Sequence, residues 1–164
     1  MRIGIIADTH DRLPFIDKAV QKLNEEKVDL VLHAGDYIAP FVTTRFEPLE
    51  AKMIGVFGNN DAEKDLLRRK FDAMGAQIRG RFEQITVDDL KIALLHGEEN
   101  SLLEALIRSG AYDVVVHGHT HQARVCREGN TLIVNPGEVC GYLSEGATIA
   151  FLDSETADVE ITTL

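Results

Sequence analysis

The residues of this chain that could do chemistry stand where its apolar runs end. Ile5-Ile6-Ala7 leads to Asp8-Thr9-His10, and Leu30-Val31-Leu32 leads through His33 to Gly35-Asp36. Met53–Phe57 leads to Gly58-Asn59-Asn60-Asp61, Ile92–Leu95 to His96-Gly97, and Val114–Val116 to His117-Gly118-His119-Thr120-His121. Carboxylates, imidazoles and an amide, with no thiolate among them, suit Mn²⁺, Fe²⁺, Co²⁺, Ni²⁺ or Zn²⁺ and do not suit a structural cysteine-type zinc site. Asp8 and His10 are two apart, so in extended backbone both leave the same face, and His119 and His121 repeat the arrangement. Gly58 and Gly118 directly precede a candidate ligand, where a missing side chain lets the backbone turn sharply. Each motif alone reads as a turn; the five in this order read as one converging site.

The apolar runs must position these groups. Ile3–Ala7, Leu30–Leu32, Met53–Phe57, Ile92–Leu95, Val114–Val116, Leu132–Val134 and Ile149–Leu152 are short, rich in Val and Ile, and continuous rather than alternating. Strands covered on both faces look like this. Ligands of α/β proteins bind at the C-terminal ends of such strands, where the polar residues fall here. Between the runs, Phe15, Ile16, Ala19, Val20 and Leu23 recur at helical spacing after Pro14, which suits a first helical turn. Asp61–Met74 predicts a second helix closed by Gly75, and Ser101 with Glu104 predicts a capping box that opens a third, ended near Gly110. Glu128-Gly129-Asn130 predicts a β-hairpin turn, and Val159–Thr162 a last short strand. No repeat and no linker composition divides the chain, so one α/β domain over residues 1–164 is expected.

Composition narrows the function. The 164 residues carry 27 acidic against 17 basic side chains, a formal charge of −10. That balance argues against a nucleic-acid-coating protein, whose domains usually carry a basic stripe; an acidic chain can still handle phosphates when bound metal ions supply local positive charge. No apolar run approaches the ~20 residues of a membrane span, and the N-terminal Ile-rich stretch is too short for a signal segment, so a cytoplasmic location without a membrane partner is expected. Cys126 and Cys140 form no C-x-x-C pair and read as free thiols.

Taken together, Asp8-x-His10, Gly35-Asp36, Gly58-Asn59-x-Asp61, His96-Gly97 and Gly118-His119-Thr120-His121 resemble the ordered signature of the calcineurin-like metallophosphoesterases. Asn135-Pro136-Gly137 and Cys140-Gly141-Tyr142 extend the likeness to the short phosphodiesterase branch of bacteria and archaea. The resemblance implies a four-layer α-β-β-α sandwich of two mixed β-sheets flanked by helices. It implies two divalent metal ions, Mn²⁺ foremost, one held by Asp8, His10, Asp36 and His121 and the other by Asp36, Asn59, His96 and His119, with Asp36 bridging. It implies hydrolysis of a small phosphodiester by a metal-bridging hydroxide, with no protein nucleophile. None is visible: the chain has neither a G-x-S-x-G elbow nor a Walker A loop.

The chain also departs from the family pattern. Many members carry histidine after the motif asparagine, where this chain has Asn60. An amide can donate a hydrogen bond to a phosphate oxygen but supplies no proton at neutral pH, so diesters with acidic leaving groups are the expected substrates and Asn60 the expected phosphate contact. Glu98 stands where small relatives often have histidine; it reads as a solvated side chain, as a charge that repels anionic substrates, or as a carboxylate orienting His96. His33 and His117 lie outside the ligand pattern and read as structural or supporting residues, and Cys140 as a small apolar filler. Two other readings compete. A protein-interaction scaffold of the same fold need not keep all seven ligand positions, which this chain does; a DNA nuclease would need a basic groove and more length. Oligomeric state is not legible, and a homo-oligomer is compatible with the sequence.

Overall fold

The computed structural model describes residues 1–144 and 146–164. In chain order the elements are β1 (Arg2–Ile6), α1 (Leu13–Glu25), β2 (Leu30–His33), a 3₁₀ segment (Pro40–Phe46), β3 (Lys52–Gly55), α2 (Lys64–Ala73), β4 (Gln77–Ile78), β5 (Phe82–Val87), β6 (Leu90–Leu95), α3 (Asn100–Ser109), β7 (Val114–Val116), β8 (Arg124–Glu128), β9 (Thr131–Asn135), β10 (Thr148–Asp153) and β11 (Val159–Thr163).

The strands form two mixed sheets. One has the order β11-β10-β1-β2-β3-β4, with β1 to β4 parallel, β10 antiparallel to β1 and β11 antiparallel to β10; the other has the order β5-β6-β7-β9-β8, with β6, β7 and β9 parallel and an antiparallel hairpin partner at each edge. Because strand side chains alternate, Ile3 and Ile5 of β1 face the second sheet and pack with Leu32, Ile92, Leu94 and Val116. Ile6 and Val31 face the other way, into a core closed by α1, α2 and the 3₁₀ segment. On the far side, α3 lays Leu103, Leu106 and Ile107 against Ala93, Leu95 and Val115. The layers therefore run helix, sheet, sheet, helix, as the resemblance implies, and the continuous apolar runs are strands buried on both faces.

Helix α1 buries Ile16, Ala19, Val20 and Leu23, spaced i, i+3, i+4 and i+7. Fully burying a large apolar side chain contributes about 1.5–3 kcal/mol, so this stripe holds the helix on the sheet. Gly4 permits the close approach, since a Cβ there would overlap the Leu23 side chain. The hairpin at Gly129-Asn130 forms as expected, with Glu128 paired to Thr131 and Gly129 at φ 58°.

Several expectations need correction. Helix α2 starts at Lys64 rather than Asp61, because the Asp61 carboxylate is spent on joining the loops after β2 and β3, accepting N–H bonds from Asp36 and Ile38 in the first and Gly58 in the second. Ser101 is not a cap: α3 begins at Asn100, its N-cap position is Glu99, and no side chain caps it. Strand β5, absent from the expected runs, exists; only Ile85 and Val87 face the core, so its pattern is half-buried alternation. The run Met53–Phe57 outlasts β3 by two residues, with the Val56 and Phe57 N–H groups donating to the His33 and Gly80 carbonyls.

Candidate metal centre

Every polar motif lies just past a parallel strand: Asp8 and His10 past β1, Asp36 past β2, Asn59 and Asn60 past β3, His96 past β6, His119 and His121 past β7. Loops from both sheets meet there. The Asp8 N–H donates to the Gly35 carbonyl at 3.0 Å, and the His119 N–H crosses from the other sheet to Asp8 Oδ2 at 3.0 Å. The turns are tight. Asp8, His10, Asp36, His119 and His121 hold φ of 53°, 40°, 61°, 67° and 61°, a left-handed conformation that Asp and His tolerate better than most side chains and that clusters at functional sites. At Gly58 a Cβ would overlap the Asp36 carboxylate, so the two loops can nest only with glycine there.

Two carboxylate oxygens collect the imidazoles. Asp8 Oδ1 lies 3.7 Å from His10 Nε2 and 3.5 Å from His121 Nε2. Asp36 Oδ2 lies 3.4 Å from His10 Nε2 and 3.3 Å from His96 Nε2. The His96 and His119 ring centroids are 5.1 Å apart. Asn60 wraps Asp36, its N–H donating to Oδ1 at 2.9 Å and its side-chain Nδ2 to Oδ2 at 2.7 Å.

The donor atoms are poised but unbonded. Among the described residues, Asp8 Oδ1, His10 Nε2 and His96 Nε2 are buried without a hydrogen-bond partner. His96 Nδ1 lies 2.8 Å from the Ala34 carbonyl, an acceptor, so Nδ1 carries a hydrogen and Nε2 turns its remaining site to Asp36. Lone pairs facing a carboxylate oxygen repel unless a proton or cation lies between them. The titration follows. Burial works against the Asp36 charge, but His10, His96 and Asn60 outweigh it and hold its carboxyl far below the usual carboxylate range. Burial likewise opposes the His10 imidazolium, and Asp36 with Asp8 lifts it to about 9; His96 is raised in the same way. Two imidazoles that hold protons this firmly beside ionised Asp36, with three ligand atoms converging in each group, fit a divalent cation. The groups Asp8, His10, His121 and Asp8, Asp36, His96 each present ligand atoms within 4.8 Å of one another.

Of the expected site residues, Asp8, His10, Asp36, His96 and His121 converge directly, and His119 joins them through its ring contact with His96. Asn59 sits exposed on the same loop, and the amide that reaches Asp36 belongs to its neighbour Asn60. Glu98 does not orient His96; it pairs with Arg81, which also meets Glu99 at 2.8 Å. His33 is structural: wholly buried, it stacks on Tyr37 at 3.9 Å, accepts the Gly35 N–H, and burial pushes its pKa down to about 3. Cys140 is more than a filler, because its thiol donates to Glu138 at 2.8 Å. Glu138 itself is the buried carboxylate that sequence reasoning missed. It lies 2.6 Å from His121 Nδ1, and the only signal for it was its place directly after Asn135-Pro136-Gly137.

Comparison with known proteins gives the family of the fold. Residues 1–157 match the model of the calcineurin-like phosphoesterase superfamily domain. A phosphodiesterase of Methanocaldococcus jannaschii is 45% identical over 156 residues, 94% of each chain. The solved structure of an archaeal phosphodiesterase superposes with a TM-score of 0.95 at 42% identity over 100% of both chains. The Escherichia coli phosphoesterase YfcE superposes with a TM-score of 0.75 at 20% identity over 99% of both, a likeness of fold.

Proposed function

The chain belongs to the calcineurin-like phosphoesterase superfamily, and from that premise we propose that it is a phosphodiesterase that uses two divalent ions, Mn²⁺ foremost, to hydrolyse a small phosphodiester. The observation that carries the reading is the set of buried atoms Asp8 Oδ1, His10 Nε2 and His96 Nε2, which have no hydrogen-bond partner among the described residues while both nitrogens face Asp36 Oδ2 and His10 Nε2 also faces Asp8 Oδ1. Asp8, His10, Asp36 and His121 would hold one ion, and Asp36, Asn59, His96 and His119 the other. When bound, the ions make an attacking water nucleophilic and draw off the charge that develops on the phosphoryl oxygens.

The protein's own part is placement. Asp36 meets groups of both sets, His10 and His96, through one oxygen, so it is the residue whose loss should damage both sites. The Asn60 amide has two N–H donors and spends one on Asp36; the other is free for a phosphoryl oxygen. Asn60 supplies no proton to a leaving group. Because general acid catalysis is typically worth ~10²–10⁴-fold, the substrates that suit this site are diesters whose leaving groups depart without one.

The test is hydrolysis of a chromogenic phosphodiester and the matching monoester by chelator-stripped protein, with Mn²⁺, Ni²⁺, Zn²⁺ and Mg²⁺ restored singly and Asp36→Asn beside it. Metal-dependent diester cleavage lost in Asp36→Asn is the expected result. Two bound ions with neither ester cleaved would overturn it in favour of a scaffold.

A further inference from the structure

Glu138 follows the turn that ends β9 and is wholly buried. Among the described residues, the three backbone N–H groups and the thiol that approach its carboxylate are all donors. Oε1 accepts the Leu143 N–H at 2.7 Å and the Ser144 N–H, and lies 2.6 Å from the Ser144 hydroxyl, which it shares with the Gly146 carbonyl. Oε2 accepts the Tyr142 N–H at 3.0 Å and the Cys140 thiol at 2.8 Å, and faces His121 Nδ1 at 2.6 Å. A proton on either oxygen would oppose a donor, so the carboxylate is ionised and accepts from all sides. His121 Nδ1 must then carry the hydrogen, which leaves Nε2 as the ring's lone-pair atom, 3.5 Å from Asp8 Oδ1.

The backbone that Glu138 gathers borders the same site. The Cys140 N–H donates to the Asp8 carbonyl at 3.0 Å, and Arg12, two residues past His10, donates to the Cys140 carbonyl at 2.6 Å. Beyond it, Tyr142 and Leu143 are 58% and 78% exposed. His121, Glu138 and Cys140 lie close enough to chelate a cation themselves, but the thiol keeps its hydrogen on Glu138, and a ring nitrogen that donates to Glu138 has no lone pair to offer.

We propose that Glu138 is a positioning residue for the metal centre: one oxygen locks His121 with Nε2 toward Asp8, while the other fixes the loop that carries Leu143 and Ser144. The inference rests on the metal-centre reading above and adds to it a named support residue. Partners of metal-bound imidazoles that fix ring orientation typically change metal affinity 10–100-fold when removed.

The test is Mn²⁺ titration calorimetry on stripped wild-type, Glu138→Gln and Ser144→Ala proteins, with amide hydrogen exchange over residues 142–144. A carboxamide cannot accept along both edges, so Glu138→Gln should weaken one of two ions 10–100-fold and speed exchange. Ser144→Ala removes a loop contact and leaves the His121 contact in place, so it should speed exchange and keep both affinities. Wild type that binds two ions, with Glu138→Gln binding them equally well, would overturn the inference alone. Wild type that binds none would overturn it together with the reading beneath it. Should Glu138→Gln fail to fold, ¹⁵N spectra of zinc-loaded wild type decide: a protonated His121 Nδ1 with Nε2 on the metal is expected, and metal on Nδ1 refutes the proposal.

Discussion

The backbone around Asp36 hangs on Asp61, and removing that carboxylate has a cost that can be worked from its contacts. Asp61 is 2% exposed; Oδ2 accepts the Asp36 N–H at 3.1 Å and the Gly58 N–H at 2.8 Å, and Oδ1 accepts the Ile38 N–H at 2.8 Å. Asp61→Ala strands all three donors. With about 1–3 kcal/mol lost for each buried donor left unpaired, and partial relaxation toward water near Ile38, the expected destabilisation is about 3–5 kcal/mol. Asp61→Asn can keep its oxygen at the Oδ2 position and lose only the Ile38 bond. Burial raises the Asp61 carboxyl pKa against the pull of those same N–H groups, so a neutral amide also escapes part of the desolvation cost. The Asn loss should therefore sit near 1 kcal/mol. Urea unfolding of the metal-free proteins measures both, read as midpoint shifts at constant m-value. Equal losses for Ala and Asn, or an Ala loss below about 1 kcal/mol, would refute the claim that three buried N–H groups depend on this side chain.

Three other outcomes follow from the structure. Gly4→Ala should destabilise the fold by about 1–3 kcal/mol, because its Cβ meets the buried Leu23; a melting temperature equal to wild type would show that α1 can shift freely. Since Asp36 and Asp8 outweigh burial and lift His10 to about 9, metal binding at pH 7 must expel the His10 proton. Calorimetry in buffers of different ionisation heat should show that release, with apparent affinity falling about tenfold per pH unit below 9 for this one proton; affinity flat between pH 6 and 8 contradicts it. Iodoacetamide should label the half-buried Cys126 and spare Cys140, buried and held to Glu138 with its thiol near 12; rapid native labelling of Cys140 would contradict the Glu138 contact.

What the sequence made legible were the features that leave a periodic or ordered trace. The strands of the parallel cores, β1, β2, β6, β7 and β9, are continuous Val/Ile runs because helices or the opposite sheet cover both faces, and the polar residues after them mark the edge where the site forms. Edge strand β5 leaves a fainter trace, since only Ile85 and Val87 turn inward, although Asp88-Asp89 between two apolar stretches was a usable hairpin signal. Asp61 and Ser101 read as helix openers from propensity alone. Tertiary bonding took Asp61 for the Asp36 loop, and α3 starts one residue before Ser101. Glu138 was illegible because its role depends on a loop folding back so that Leu143 and Ser144 meet it, which no local spacing encodes. The pairing of Glu98 with Arg81 left no local trace either, because the two are 17 residues apart in sequence.

If two cations share Asp36, crystals soaked in Mn²⁺ and measured at its absorption edge should show two anomalous peaks about 3.5–4 Å apart, one on each side of the Asp36 carboxylate, the first beside His10 and His121 and the second beside His96 and His119. A single peak, or a pair that leaves Asp36 without a metal contact, would contradict that sharing.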